Sequence, residues 1–310
     1  MMITTKKKKS RRSFTTTNSQ SELVHFANLF ALMLAARGIS MTQEEKREFL
    51  ISRLLKEQPR YAQMKIPSEA GEQKKLLRSL FNIRMPEAIG EEFLKIQDEY
   101  LQSETEEKGI TELSELSQVE QGIYLWQGDI TTLKVDAIVN AANSQMLGCF
   151  CPCHGCIDNA IHTYAGIQLR NECHALMEEK RKIYGRDYEE PTGRAMITKG
   201  YNLPCRYVIH TVGPIISGRL QKKDCEQLSD CYCSCLEAAL ENKIRSIAFC
   251  CISTGEFHFP NDKAAQIAVE TVREFQRTNR DQVEVVFNVF KDIDYEIYRE
   301  LLTKNREAEE

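Results

Sequence analysis

The stretch NAANSQMLGCFCPCHGCIDN, residues 140–159, lies between an apolar β-rich run and a helical pattern. It holds three asparagines, one aspartate, one histidine and four of the twelve cysteines of the chain. Loops that follow buried strands in open α/β sheets are common ligand sites. We therefore expect a metal and an active site in this stretch.

Around it, apolar β-rich runs alternate with helical patterns. The runs span residues 123–126, 135–139, 195–199, 207–211, 244–251 and 283–290, and the helical patterns lie near 156–182, 224–242, 261–278 and 292–303. This alternation predicts a three-layer α/β/α domain with a mostly parallel mixed sheet. Because ligands bind beyond the carboxyl ends of such strands, three loops are candidates: 140 onward, 211–217 and 253–260.

The chain before this domain has a different pattern. Residues 1–20 are basic and contain no acidic side chain, which predicts a disordered tail. Apolar residues then recur at helical spacing, with start signals at Thr42 and Pro67. We expect a basic tail (1–20), a small all-α domain (21–118) whose partner the sequence does not identify, a polar hinge at 103–109, and the α/β domain (119–310).

Composition disfavours several classes of protein. The formal net charge is −4 and the pI about 6.0, so no specific nucleic-acid binding is expected. No stretch approaches the roughly 20 apolar residues of a membrane span, so no membrane association is expected. The cysteines lie in clusters or apolar runs, as thiols of a reducing compartment do. We expect a cytoplasmic protein; the basic N-terminal block supports the alternative of a nuclear or organellar location.

The loop cysteines predict a metal site. Four cysteines and one histidine fall within residues 149–156, a density of ligands typical of zinc. Structural zinc takes four protein ligands, whereas catalytic zinc takes three and leaves one position open. Spacing leaves open which side chains bind the metal among Cys149, Cys151, Cys153, His154 and Cys156.

The other cysteines and histidines carry weaker signals. Cys231, Cys233 and Cys235 lie in a helical pattern, where alternate residues point apart, and we interpret them as ordinary helix residues. Cys250 and Cys251 end a buried strand and are interpreted as core. His162 and His174, also in a helical pattern, are interpreted as packing or surface residues.

Two further loops carry binding signals. Asp129 follows the run at 123–126; an aspartate there usually caps a turn, and it can also accept a hydrogen bond from an exocyclic amine. Residues 253–260, STGEFHFP, can present several backbone N–H groups to a phosphate. Neither a P-loop lysine pattern nor G-x-G-x-x-G occurs, which disfavours mononucleotide kinases and dinucleotide dehydrogenases.

Four segments in order resemble a macrodomain: GDITTLKVDAIVNAAN (128–143), TGRAMITKGYNLPCRYVIHTVGP (192–214), CYCSCLEAAL (231–240) and SIAFCCISTGEFHFP (246–260). The resemblance covers about residues 120–305. Most macrodomains have a glycine-rich run where this chain has GCFCPCHGCIDNAIH (148–162). That run is similar to the zinc-dependent subclass, the microbial protein-ADP-ribose hydrolases. Their α-helical N-terminal extension is similar to residues 76–101.

The resemblance implies a role for each matching residue. It implies one cofactor, Zn²⁺, bound by Cys149, His154 and Cys156, and two catalytic residues, Asn143 and Asp158. The implied ADP-ribose-binding residues are Asp129 and the Ile130 backbone at the adenine amine, Phe290 at the adenine ring, Asn143 at the distal ribose, and Ser253, Thr254, Gly255, Glu256 and Phe257 around the diphosphate. The thiols of Cys151 and Cys153 depart from the pattern.

The implied activity is zinc-assisted hydrolysis that removes mono-ADP-ribose from modified protein side chains, with an acidic side chain as the expected attachment. The implied partners are ADP-ribose and mono-ADP-ribosylated protein. The alternative is a non-catalytic ADP-ribose-binding reader with a structural zinc loop. In that case Cys151 or Cys153 would complete a shell of four ligands.

Overall fold

The computed structural model describes residues 41–279 and 282–303. In these ranges, a unit of three helices precedes a seven-stranded sheet covered by five helices. The expected basic tail and residues 21–40 of the expected all-α domain lie outside the described residues. A search of the described helices finds none that could span a lipid bilayer.

The helical unit consists of α1 (Gln43–Glu57), α2 (Ala70–Ile83) and α3 (Glu91–Lys108). Thr42 and Glu45 form a capping box that starts α1, because each side chain accepts the other's backbone N–H. The apolar faces of the three helices share one core. The hinge expected at 103–109 is wrong: residues 103–108 form the end of α3 and Gly109 caps it, because the segment includes good helix formers and Thr105 is buried.

The strands are β1 (Thr111–Glu112), β2 (Gln118–Glu120), β3 (Ile123–Gln127), β4 (Leu133–Lys134), β5 (Ala137–Ala142), β6 (Ala195–Lys199), β7 (Tyr207–Val212), β8 (Ser246–Phe249) and β9 (Glu284–Val289). The main sheet has the order β2-β3-β9-β8-β5-β7-β6. Neighbours from β3 to β7 are parallel, and the edge strands β2 and β6 are antiparallel. This is the expected mostly parallel mixed sheet.

The boundary between the two units differs from the sequence-based one. Strand β1 pairs with β4 in a small parallel sheet, and β2 joins the main sheet. Residues 109–118, placed in the all-α domain from the sequence, therefore contain β-structure that belongs with the second unit. These residues include too few apolar side chains to show the alternation of apolar and polar residues that marks a strand.

The five helices of the second unit are α4 (Ile157–Ala165), α5 (Ile167–Tyr184), α6 (Lys222–Glu241), α7 (Asn261–Thr278) and α8 (Asp292–Thr303). The connection β5–β6 runs in one direction along the sheet, and the connections β7–β8 and β8–β9 run in the other. The β7–β8 and β8–β9 connections join parallel strands, so right-handed crossovers place α6 and α7 on one face. Helices α4 and α5 pack on β5 and β6 with no substantial contact to α6 or α7 in the described part of the chain, and they form the opposite layer. The three layers are those expected from the sequence.

The single helical pattern expected near 156–182 contains a break. Gly166 separates α4 from α5 with φ 91°, a left-handed conformation that favours glycine. A Cβ atom there would lie 2.6 Å from the side-chain nitrogen of Gln97, on α3. The Gln97 Oε1 atom accepts the Ile167 N–H at 3.1 Å. The helical unit is thus packed against the start of α5.

Candidate active site

The parallel strands β3, β5, β7, β8 and β9 end at one edge of the sheet, and contacts join the loops that follow them. All site residues that the resemblance implies lie on these loops or in the first turn of α4. Asp129 and Ile130 follow β3, residues 143–158 follow β5, residues 253–257 follow β8, and Phe290 follows β9. The parallel direction of the strands is what brings these distant segments together.

Three of the five candidate metal ligands come together. The ligand atoms of Cys149, His154 and Cys156 all lie within 4.8 Å of one another, and Cys149 Sγ is 3.7 Å from His154 Nδ1. Cys156 is the N-cap of α4, and its sulfur accepts the Asn159 N–H. Two sulfurs and one imidazole nitrogen suit Zn²⁺, and a set of three ligands leaves one coordination position for water or substrate.

The surroundings of this cluster keep the Cys156 thiol protonated unless a cation lies beside it. Burial raises the pKa of the Cys156 thiol, and the nearby Cys149 and Asp158 raise it further against a backbone hydrogen bond from Asn159. A thiolate at this position is therefore unfavourable without positive charge beside it. A divalent cation supplies that charge and deprotonates a coordinating thiol. Both the donor set and its surroundings fit zinc.

The two remaining thiols of the loop lie outside the three-ligand cluster. Cys151 and Cys153 are both exposed. The Cys153 sulfur is 3.3 Å from the Ser79 hydroxyl and 3.4 Å from the Lys75 carbonyl oxygen, both on α2. Of the ligand sets that the spacing left open, the geometry thus favours the three residues that the resemblance implied.

The two residues expected to be catalytic are neighbours. Asp158, in the first turn of α4, is 5% exposed; its Oδ1 accepts from Asn140 Nδ2 at 2.8 Å, and its Oδ2 is 3.5 Å from Asn143 Nδ2. Burial raises the pKa of Asp158 to about 6, against the Asn140 hydrogen bond and the Arg170 charge. A carboxyl group with a pKa near neutrality can exchange a proton with water or a sugar hydroxyl.

A second group of metal-binding residue types lies nearby in the core. The ligand atoms of His162, Cys173 and His210 also lie within 4.8 Å of one another. His210 Nδ1 is 3.1 Å from the Asn140 amide nitrogen, and His210 Nε2 is 2.9 Å from Thr198 Oγ1. Because an amide nitrogen only donates, Nδ1 accepts and Nε2 carries the proton. His210 then has no lone pair for a metal, and we interpret the group as core packing that supports Asn140.

The loop after β8 has an unusual backbone. Ser253 has φ 65° and His258 has φ 56°, both left-handed, and the Phe259 N–H donates to the Ser253 carbonyl at 3.0 Å. Ser253 is buried against Gly213, where a Cβ atom would lie 2.0 Å from Ser253 Oγ. Only glycine after β7 permits this approach of the two loops. The result is a tight loop whose tip, residues 254–257, remains accessible.

The tip of this loop offers hydrogen-bond donors. Within the described residues, the backbone N–H groups of Gly255, Glu256 and Phe257 have no acceptor. A Cβ atom at Gly255 would meet nothing within 4 Å, so a ligand can approach the backbone there. Successive free N–H groups suit an anion such as a diphosphate. The Glu256 carboxylate lies 3.6 Å from His154 Nε2, so this loop also contacts the group of candidate metal ligands.

Asp129 lies at the far end of the same edge. Its Oδ1 accepts from both the backbone N–H and the hydroxyl of Thr131, and its Oδ2 pairs with Lys108 Nζ at 3.0 Å. Burial alone would raise the pKa of Asp129, but these hydrogen bonds and the Lys108 charge outweigh burial and lower it. Asp129 is therefore an anion that can accept further hydrogen bonds.

Phe290 and Ile130 flank Asp129 in different ways. The Phe290 ring is 76% exposed and free to stack against a flat ligand. It is near Asp129 because the Gly128 N–H donates to the Val289 carbonyl at 3.0 Å. The Ile130 side chain is buried, so only its backbone is available to a ligand, as the resemblance implied.

Sequence reasoning missed three residues around the site. Lys108 ends α3 and lies 3.3 Å from the Tyr164 ring centroid as well as beside Asp129. Asn140 carried a signal, because asparagine is disfavoured inside a buried strand. Arg170 and Lys108 carried no signal in the sequence, because the residues that they contact are distant along the chain.

Comparison with known proteins identifies relatives of this chain. A family model for the Macro domain matches residues 139–268. The chain is 54% identical over 267 residues to a protein-ADP-ribose hydrolase of Treponema medium, covering 85% of this chain and 100% of that protein. It is 44% identical over 264 residues to a protein-ADP-ribose hydrolase of Staphylococcus aureus, covering 84% and 96%. A Trypanosoma brucei macrodomain solved in complex with ADP-ribose matches with a TM-score of 0.56 at 30% identity, covering 73% and 94%.

Proposed function

The chain belongs to the macrodomain family of protein-ADP-ribose hydrolases, and we propose that it is a zinc-dependent hydrolase of mono-ADP-ribosylated protein. The bond that it cleaves joins C1″ of the distal ribose to a protein side chain, and we propose an acidic side chain as the attachment. One observation carries the proposal: the ligand cluster of Cys149, His154 and Cys156 lies beside the buried carboxyl group of Asp158.

The loops support an order for the parts of ADP-ribose along the edge of the sheet. Asp129 accepts a hydrogen bond from the exocyclic amine of adenine, and Phe290 stacks on the adenine ring. The free N–H groups at 255–257 bind the diphosphate, which leaves the distal ribose beside Asn143 and Asp158. Binding energy from adenine and diphosphate then serves to orient the reacting carbon.

The chain's own residues would divide the chemistry as follows. Cys149, His154 and Cys156 would hold zinc, which when bound supplies Lewis acidity to a ribose hydroxyl or lowers the pKa of a water. Asn143 orients the distal ribose through its side-chain amide. Asp158, held by Asn140, takes a proton from the attacking water, and the modified side chain leaves as a free carboxylate.

A turnover assay tests the proposal. Aspartate-, glutamate-, serine- and arginine-linked ADP-ribosylated proteins are incubated with the full chain, with and without chelator, and ADP-ribose release is measured. We expect turnover of the acidic linkages, loss on chelation and recovery with zinc. Cys156→Ala should lose about 100-fold or more in rate, whereas the matched Cys151→Ala, in the same loop, should retain it. Full turnover by both the chelated protein and Cys156→Ala would rule out catalytic zinc.

A second variant separates hydrolysis from simple binding of ADP-ribose. Asp158→Asn keeps the size of the side chain and an acceptor for Asn140, but removes the proton acceptor. We expect a rate loss of about 10²–10⁴-fold, with zinc content and ADP-ribose affinity, measured by calorimetry, unchanged. A wild-type protein that binds ADP-ribose but hydrolyses none of the four linkages would instead be a reader.

The number of sulfur ligands distinguishes catalytic from structural zinc. X-ray absorption at the metal edge should show two sulfurs and one protein nitrogen in the zinc-loaded protein. Three sulfurs would mean that Cys151 or Cys153 completes the shell, as a structural site requires.

A further inference from the structure

Helix α2 of the helical unit lies against the loop that carries the metal ligands. We propose that α2 is a clamp that holds residues 149–156 in their metal-binding shape, and that Arg78 and Asn82 are positioning residues which set the affinity for zinc. The inference rests on the zinc-dependent function proposed above. The helix lies outside the stretch matched by the Macro domain model, which begins at residue 139.

Arg78 links α2 to the loop and to α4 at once. Its Nε and Nη2 atoms donate to Asn159 Oδ1 at 3.1 and 2.8 Å, and Nη2 also donates to the His154 carbonyl at 3.0 Å. The planar guanidinium holds its donors in a fixed fork. Arg78 therefore fixes the backbone of one proposed metal ligand relative to the helix that begins after another, Cys156.

Asn82 lies four residues further along α2 and is fully buried. Its Oδ1 accepts the Cys153 N–H at 2.9 Å, and its Nδ2 donates to Thr163 Oγ1 at 3.0 Å. Cys153 has φ 52°, a left-handed conformation that is unfavourable for a residue with a side chain. Asn82 thus holds the loop at the point where its backbone conformation is least favourable.

Asn159 completes the attachment of the loop. Its Nδ2 donates to the Cys151 carbonyl at 2.9 Å, while its Oδ1 receives Arg78. The backbone of the loop is therefore held at residues 151, 153 and 154, in each case by a side chain from outside the loop. Two of these anchors come from α2 directly, and the third comes from a side chain that α2 holds.

Arg170 ties the first half of the loop to the same helix. Its Nε donates to the Leu147 carbonyl at 2.7 Å, and its guanidinium lies 4.3 Å from the Phe150 ring centroid. Its Nη1 donates to three carbonyl oxygens at the end of α2, those of Phe81, Asn82 and Arg84. Both halves of the loop are thus positioned against α2.

This arrangement predicts that α2 affects zinc binding and does not only join the two units. Groups that orient metal ligands without touching the metal commonly change metal affinity by about 10–100-fold when removed. Loss of Arg78 should release the His154 backbone and loosen the ligand geometry. A contact that only joined the units would leave the release of zinc unchanged.

The first test compares two single-charge variants of α2 in the full chain. Arg78→Ala removes the contacts with the loop. Lys74→Ala removes a charge on the same helix whose partner is Glu104, at 2.7 Å within the helical unit. Zinc release is followed with a chromophoric chelator at neutral pH. We expect release about 10–100-fold faster from Arg78→Ala and unchanged from Lys74→Ala. Equal release from the two variants would overturn the proposal.

Arg78→Lys provides a folded variant if Arg78→Ala is unfolded by circular dichroism. A single ammonium group cannot reach both Asn159 and the His154 carbonyl with the geometry of the guanidinium fork. The rate of zinc release from Arg78→Lys should therefore lie between the rates of wild type and Arg78→Ala. If Arg78→Ala does not fold, the rate from Arg78→Lys should still exceed that of wild type. Release from Arg78→Lys at the wild-type rate, with Arg78→Ala unfolded, would also overturn the proposal.

A second readout does not depend on zinc. Hydrogen exchange of the peptide covering 149–156 is measured in chelated protein, where the Cys153 N–H is held by Asn82. Exchange should be faster in Arg78→Ala than in Lys74→Ala. If wild-type protein binds no zinc, the proposed function fails and this comparison alone decides the clamp: faster loop exchange supports it, and equal exchange overturns it.

Discussion

Two groups of alternating cysteines occur in this chain, and the fold uses them differently. Cys231 and Cys235 on α6 are completely buried, and Cys233 between them is half-buried. In the loop before α4, Cys149 lies with the candidate metal ligands His154 and Cys156, whereas Cys151 and Cys153 are exposed. On a helix, spacing decides which side chains share a face. In the loop no such rule holds, because the Cys153 sulfur contacts Ser79 and Lys75 of α2 and stays outside the ligand group of Cys149. Spacing of cysteines therefore predicts their role only once the backbone is known.

Thiol labelling should show the largest difference between the two groups. In chelated, folded protein, the exposed loop thiols of Cys151 and Cys153 should react with a small aromatic disulfide at once. Cys231 and Cys235 can react only after an opening of several kcal/mol, so their labelling should be slower by about a thousandfold or more. Mass spectrometry of labelled peptides measures both rates. Comparable rates would mean that α6 does not bury its thiols as the structure shows.

Much of the fold could be predicted because it depends on local pattern. The runs that became β5, β7, β8 and β9 are apolar because these strands are buried within a parallel sheet. The features missed depend on contacts between distant segments. Helix α3 continues to Lys108, with Thr105 buried, and α4 ends where Gly166 meets Gln97. The spacing of apolar residues within either segment gives no sign of such a contact.

The candidate site was predictable to the same extent. The resemblance named one set of ligands, while spacing left five candidates. What separates Cys153 from Cys149 is the position of α2, whose Ser79 contacts the Cys153 sulfur across 74 positions of sequence. Arg78 and Asn159 are separated by 81 positions. Side chains that hold a site from another unit have no signature in a single sequence.

Stability should distinguish the two groups by a smaller amount. Cys235→Ser places a hydroxyl in a fully buried site on α6, and we expect a loss of about 1–3 kcal/mol in the free energy of unfolding. The same change at Cys151, exposed in the loop, should stay within about 0.5 kcal/mol. Urea unfolding of chelated protein measures both. Equal losses would contradict the assignment of Cys235 to the core.

Zinc should reveal the smallest difference, which lies within the loop itself. If zinc is bound as proposed, Cys149 and Cys156 can be labelled only after the metal leaves. Their labelling rate should then fall by about tenfold when free zinc is ten times its Kd. Cys151 should react equally fast with and without zinc, because its thiol lies outside the cluster. Cys153 is the internal control for the loop shape, since its sulfur contacts Ser79 and Lys75 rather than the metal ligands. Zinc protection of Cys151 together with Cys149 and Cys156 would mean a shell with three sulfurs, and the difference between ligand and bystander thiols would be lost.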